Sequence, residues 1–297
     1  MAAGIQENTP MKTTGIVTTH KHEVAMKYGQ PIKLILFGDV HRDSPAHAET
    51  HWKQFLDYAK SQRDAVFLGM GDYLDGVSTS ERGILMRSGL HESTLRNMEN
   101  EANGRVAQLA KELSFMRGKL IGLIGGNHFW PFPDGTDSDM RLANKLSCRY
   151  LGVCSFIRLS MANCGRTHCV DIYAHHGLGG ARLPGGSINR VQQAAEWADA
   201  DILAMGHDHK RGVFPANPTL RLEPCNKNGL RLRHRERWLA RTGSFLAAYE
   251  PGQANYNVDA GRGPCSLGWV EFEITVNRKR KHAYDSGETS VSIRGIA

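Results

Sequence analysis

Five times in its first 210 residues the chain passes through a short apolar run and then breaks into a cluster of Gly, Asp, Asn and His. The runs are Ile32 to Gly38, Ala65 to Gly69, Leu120 to Ile124, Val170 to Ala174 and Asp201 to Met205. Brief, nearly continuous apolar runs suit strands buried on both faces, as in parallel sheets. Between them, residues 51–60, 106–115, 140–146 and 188–198 carry apolar positions three and four apart, the helical period. Strands alternating with helices predict an α/β fold, and such sheets gather ligands outside the carboxyl ends of their strands. Five clusters distant in sequence are therefore expected to form one site.

The clusters are Gly38-Asp39-Val40-His41, Gly71-Asp72, Gly125-Gly126-Asn127-His128, His175-His176-Gly177 and Gly206-His207-Asp208-His209. In Asp-x-His and His-x-His on extended backbone, alternation sends both ligands to one side. The flanking glycines admit sharp turns and close approach. Carboxylate, imidazole and amide oxygen together suit Mn, Fe, Zn, Ni or Co better than a thiolate-seeking metal. The set is too large for one ion, and a carboxylate such as Asp72 can bridge two, clamping both oxygens of a phosphoryl displacement.

In order and content the five blocks resemble the calcineurin-like metallophosphoesterase superfamily, over about residues 32–210, and loosely its phage and prophage members. The resemblance implies a four-layer sandwich of two facing mixed β-sheets flanked by helices, and hydrolysis of phosphate esters, diesters favoured, by a hydroxide held between two divalent transition-metal ions. It implies that Asp39, His41, Asp72 and His209 hold one ion, and that Asp72, Asn127, a histidine of the fourth block and His207 hold the other. His128 would orient substrate or protonate the leaving group, a role suited to an imidazole near neutral pH. His175 and His176 are alternatives, since neighbours on extended backbone point opposite ways; the run His176 to Arg182 resembles a His-Gly-rich segment of phage and prophage members, which favours His176, whereas His-His pairs elsewhere in the superfamily often use the first.

Many members carry an acidic residue after Gly-Asn-His, where Phe129 and Trp130 stand here. The acidic partner is then absent or supplied from elsewhere, and the two rings either pack in the core or stack on a base or aryl leaving group. Asp43, Asp75 and Asp208 read as ligand-orienting or turn-forming residues. Arg182, Lys210 and Arg211 read as surface charge or as phosphate contacts.

A net charge of +7 attracts anions without naming one. Along residues 230–235, alternation predicts a strand with a basic face, read either as a solvated edge or, with Arg237, as a track for a phosphate backbone. A DNA or RNA nuclease of the same superfamily is thus one alternative, and a silent scaffold protein another. The six cysteines form no Cys-x-x-Cys pair and read as free thiols; a zinc knuckle at Cys164 and Cys169 lacks a second ligand pair. Residues 1–30 lack a secretory apolar segment and no run of roughly 20 apolar residues spans a membrane, so the expectation is a cytoplasmic protein. The division expected is an N-terminal extension, residues 1–30, then a single domain, 31–297, with a helical insertion at 76–105, a second sheet after residue 210 and a long loop at 251–264.

Overall fold

The computed structural model describes residues 17–87, 89–163, 165–181, 183–225, 229–250, 258, 261, 263–279 and 288–297. All five apolar runs are strands: β2 (Pro31–Phe37), β3 (Ala65–Gly69), β4 (Leu120–Leu123), β7 (Arg166–His175) and β8 (Ile202–Met205). The helical patterns become α1 (Glu49–Ser61), the end of α3 (Glu92–Glu112), α4 (Ser138–Leu146) and α5 (Pro184–Ala195), and α2 (Thr79–Arg87) precedes α3 within the expected insertion.

With β5 (Arg149–Tyr150), β13 (Val270–Lys279) and β14 (Glu288–Ile296), the first three runs form a sheet of order β14-β13-β2-β3-β4-β5, parallel from β2 to β5. The other two join β1 (Val17–Ala25), β6 (Cys154–Asn163), β9 (Arg211–Pro215) and β12 (Trp238–Thr242) in order β1-β6-β7-β8-β12-β9. Both sheets are mixed. Of the strands after residue 210, only a two-stranded hairpin stands apart: β9 and β12 extend one six-stranded sheet, β13 and β14 the other, because β12 pairs parallel with β8 and β13 antiparallel with β2. Within the stretch read as an extension, β1 pairs in parallel with β6 over nine residues. Its polar, half-exposed alternation, Thr18-Thr19-His20-Lys21-His22, lacks the apolar signal by which the other strands were found.

Pleating explains the layers. Along β2, Leu34 and Leu36 enter the core shared with Leu159, Ile172, Ile202 and Phe272, while Ile35 and Phe37 meet Trp52, Phe55 and Leu109 of the helices outside. On the other sheet, Tyr173 and Leu203 turn outward to Val191 and Ala194 of α5. The result is helices, sheet, sheet, helix. Each fully buried Leu or Phe contributes about 1.5–3 kcal/mol, so the buried strands β2, β3, β4 and β8 that end in polar clusters are firmly held.

A separate hairpin, β10 (Thr219–Cys225) with β11 (Gly229–Arg235), has the predicted basic face, exposed to solvent but ion-paired. Arg231 and Arg233 face Glu223, Arg235 is held by Asp199 and Asp201, and Arg237 is buried with its guanidinium on the Ala195 carbonyl. The four arginines are therefore not a continuous track.

Candidate metal centre

The polar clusters converge at the carboxyl ends of β2, β3, β4, β7 and β8, and His/Asp groups there could hold metal ions. Asp39, His41 and His209 present ligand atoms within 4.8 Å of one another, and Asp72, His176 and His207 do the same. A third group, His41, Asp75 and His128, adjoins the first. Asp72 lies between the two main groups: its Oδ2 is 3.2 Å from His176 Nε2 and 3.9 Å from His41 Nε2. Its Oδ1 is occupied by the backbone N–H groups of Asn127 and His128. Asn127 Oδ1 completes the second group, 2.9 Å from His176 Nε2 and 2.7 Å from His207 Nδ1.

The backbone that delivers these side chains differs from the expectation. Asp39 and His41 have φ of 47° and 44°, and His207 and His209 have 74° and 60°, so left-handed turns align each pair rather than the alternation of an extended strand. Asp72 is left-handed too, at 50°. Among the described non-glycine residues only Ser147 and Tyr249 share this region. At roughly 1–2 kcal/mol each the five cost on the order of 5–10 kcal/mol, so other bonds must hold them. Asp39 N–H donates to Gly71 O, the N–H groups of Val40 and His41 to Asp72 O, and His207 N–H to the Asp39 carboxylate. Gly126 is required beside them, because a Cβ there would collide with Asp72 Oδ1.

Of the adjacent pair, His176 enters the site. It is buried, its Nδ1 donates to Met70 O at 2.8 Å, and Nε2 is left to face Asp72 and Asn127. This backbone anchoring of the second ring nitrogen is the usual support of a metal-ligating histidine. His175 instead accepts the Gly177 N–H at Nδ1. His41 is oriented likewise: Nδ1 meets Asp75 Oδ1 at 2.8 Å, and the buried Nε2 has no hydrogen-bond partner among the described residues. That orphaned nitrogen, aimed into a group of buried carboxylates and imidazoles, fits a cation.

Electrostatics agree. Burial would raise Asp72, but His176 and its other imidazole neighbours hold it well below the usual carboxylate range. Burial would lower His176, yet Asp72 and Asp39 push it up to about 9. Asp39 is raised by burial and by Asp72. Burial and the charge of His176 bring His207 down to about 4, leaving a neutral ring able to donate a lone pair. Buried carboxylates of this kind persist only when paired or metal-bound.

His128 is partly exposed beside these groups, with Nδ1 3.5 Å from Asp75 Oδ1 and its ring 5.0 Å from that of His41. Asp75 thus supplies the acidic neighbour that Phe129 and Trp130 do not. Asp43 accepts the Asp75 N–H and an Arg105 N–H, fixing that turn. Buried Asp208 lies 3.6 Å from Arg241, whose guanidinium also donates to the carbonyls of Gly206 and Ser187. Arg241 is itself buried and braces the His207 loop, a role that sequence reasoning missed. The same reasoning missed Arg82 of α2, which donates to the carbonyls of Asn127 and Phe129 and lies 3.8 Å over the Phe129 ring. Nothing in the local sequence distinguishes either arginine. Lys210 Nζ donates to Ala181 O; Arg182 and Cys164 lie outside the described residues, as does most of 251–264. Cys148, Cys154, Cys169 and Cys265 are free thiols.

No family model matches the chain, and no curated protein does. Among solved structures, it is similar to a conserved uncharacterized protein of Streptococcus pneumoniae TIGR4, described as a predicted phosphoesterase. Identity is 14%, over 89% of this chain and 98% of that one, with a TM-score of 0.30. So slight a likeness carries no weight, and the functional reading rests on this chain's own residues.

Proposed function

We propose that the chain is a metallophosphoesterase of the calcineurin-like kind, a hydrolase that cleaves phosphate esters, diesters preferred, with two divalent transition-metal ions. The observation that carries this reading is the meeting of two O/N donor groups at Asp72, with most of their members held in costly left-handed backbone. Asp39, His41, Asp72 and His209 would hold one ion, and Asp72, Asn127, His176 and His207 the other. Bound there, two such ions supply Lewis acidity and activate water for attack on phosphorus. The donor set, without thiolate, suits Mn, Fe, Zn, Ni or Co.

The chain's own groups do the rest. Asp75 fixes the ring of His41 and stands beside His128, so that a proton carried by His128 has a carboxylate to balance it. His128, half-buried at the margin of the ligand groups, is the proton donor to the departing ester oxygen. Asp139 and Arg82 hold the loop that carries Asn127 and His128, through the Gly126 N–H and the loop carbonyls.

The test is metal analysis joined to turnover of bis(4-nitrophenyl) phosphate. Chelation should abolish hydrolysis and Mn should restore it, and Asp72→Asn should lower both metal content and rate more than any other single ligand change. Undiminished turnover in metal-stripped protein would refute the reading.

A further inference from the structure

Beside the metal centre lies a cavity of about 420 Å³ between α3, the loop after β3 and Trp130. Its size is that of a small-molecule site, roughly 300–1,000 Å³. Leu74, Val77, Met98, Ala102 and Trp130 form an apolar wall. Asp75 also lines it, and the same carboxylate contacts His41 and approaches His128. Asp75 thus borders both the cavity and the His128 side of the ligand groups.

Its charge selects against phosphate. The ionised residues lining it are Asp43, Asp75, Glu101 and Arg105, and the Arg105 guanidinium is engaged by both Asp43 and Glu101. A leaving group bearing further phosphates would meet excess negative charge without a free cation on this wall. An uncharged flat ring, by contrast, can stack on Trp130 and meet the Met98 thioether, both favourable partners for an aromatic face or edge. Resting on the phosphoesterase reading above, we propose that this cavity is the leaving-group subsite and that the preferred substrates are phosphate esters of an uncharged aromatic group.

Phenylphosphonate and methylphosphonate, titrated calorimetrically into Mn-loaded protein, test this without the bias of leaving-group reactivity. The parent should bind phenylphosphonate at least tenfold more tightly. Ala102→Phe, which fills the cavity, should reduce that preference to within twofold at unchanged metal content. Ala107→Phe, on the exposed side of the same helix, should leave it intact. Equal affinity of the parent for both ligands, or a preference that survives Ala102→Phe, overturns the subsite; should that variant not fold, the parent's own preference decides. If methylphosphonate binds and phenylphosphonate gains nothing, only the subsite fails. If neither binds, the phosphoesterase reading fails with it.

Discussion

Two histidines adjacent in sequence, His175 and His176, have opposite surroundings. One ring nitrogen of His176 is tied to Met70 O and the other faces Asp72, whereas His175 receives a backbone N–H from Gly177 and stacks near Tyr173. His176→Ala should therefore empty one metal position, and His175→Ala should leave metal content near that of the parent; metal analysis of the purified variants decides, and the reverse ranking transfers the role. His128 differs again, since its backbone N–H holds Asp72 while its ring stays outside the two main ligand groups. His128→Ala should keep its metals and lose turnover by roughly 10²–10⁴-fold, the range for removing a positioned proton donor. Loss of metal in that variant would make His128 a ligand.

At the scale of elements, the start of α4 supports the Asn127 loop through a buried acid. Asp139 accepts the Gly126 N–H at 2.9 Å, and burial, with Asp137 nearby, holds its pKa well above the usual carboxylate value. The native state thus keeps a proton that the unfolded chain releases above about pH 4. This contribution to stability is complete below the ordinary carboxylate pKa and is lost as pH rises through the raised one. Asp139→Asn, which retains an acceptor for Gly126 but cannot ionise, should flatten the decline of melting temperature with pH in chelated protein. An unchanged slope would place the proton elsewhere. Another pairing invisible to local sequence is α2 against the loop after β4: Arg82 reaches across 45 residues to the Asn127 carbonyl, and helical periodicity carries no information about such a partner.

At the scale of the molecule, the described arginines Arg231, Arg233, Arg235 and Arg237 do not make a continuous unpaired track, because they are ion-paired with Glu223, Asp199 and Asp201 or buried. A track of four phosphate contacts on a single strand would give a log–log salt slope of about −3. Binding of oligo(dT) is expected to show a slope nearer zero, and replacing Arg231 and Arg233 by Ser should leave small-diester turnover unchanged. A steep slope that these replacements flatten would favour the nuclease. No described helix is long and apolar enough to cross a membrane.

The sequence by itself determined the α/β alternation, all five strand runs and the polar cluster after each, because a strand buried on both faces needs a continuous apolar run and its end needs turn residues, both local properties. It also named the Asp and His side chains that the fold brings together in the two main groups able to hold a metal ion. Only the tertiary structure decided which nitrogen of which histidine faces the centre, that left-handed turns rather than strand alternation aim the ligands, and that Asp75 stands in for an acid after His128. It likewise decided that β1 completes a sheet and that Arg241 is buried. These outcomes depend on contacts between residues far apart in the chain, as between Asp39 and His207 or Thr18 and Ser155. Burial and pairing of a polar side chain are set by what the fold brings against it, which no window of neighbouring residues contains.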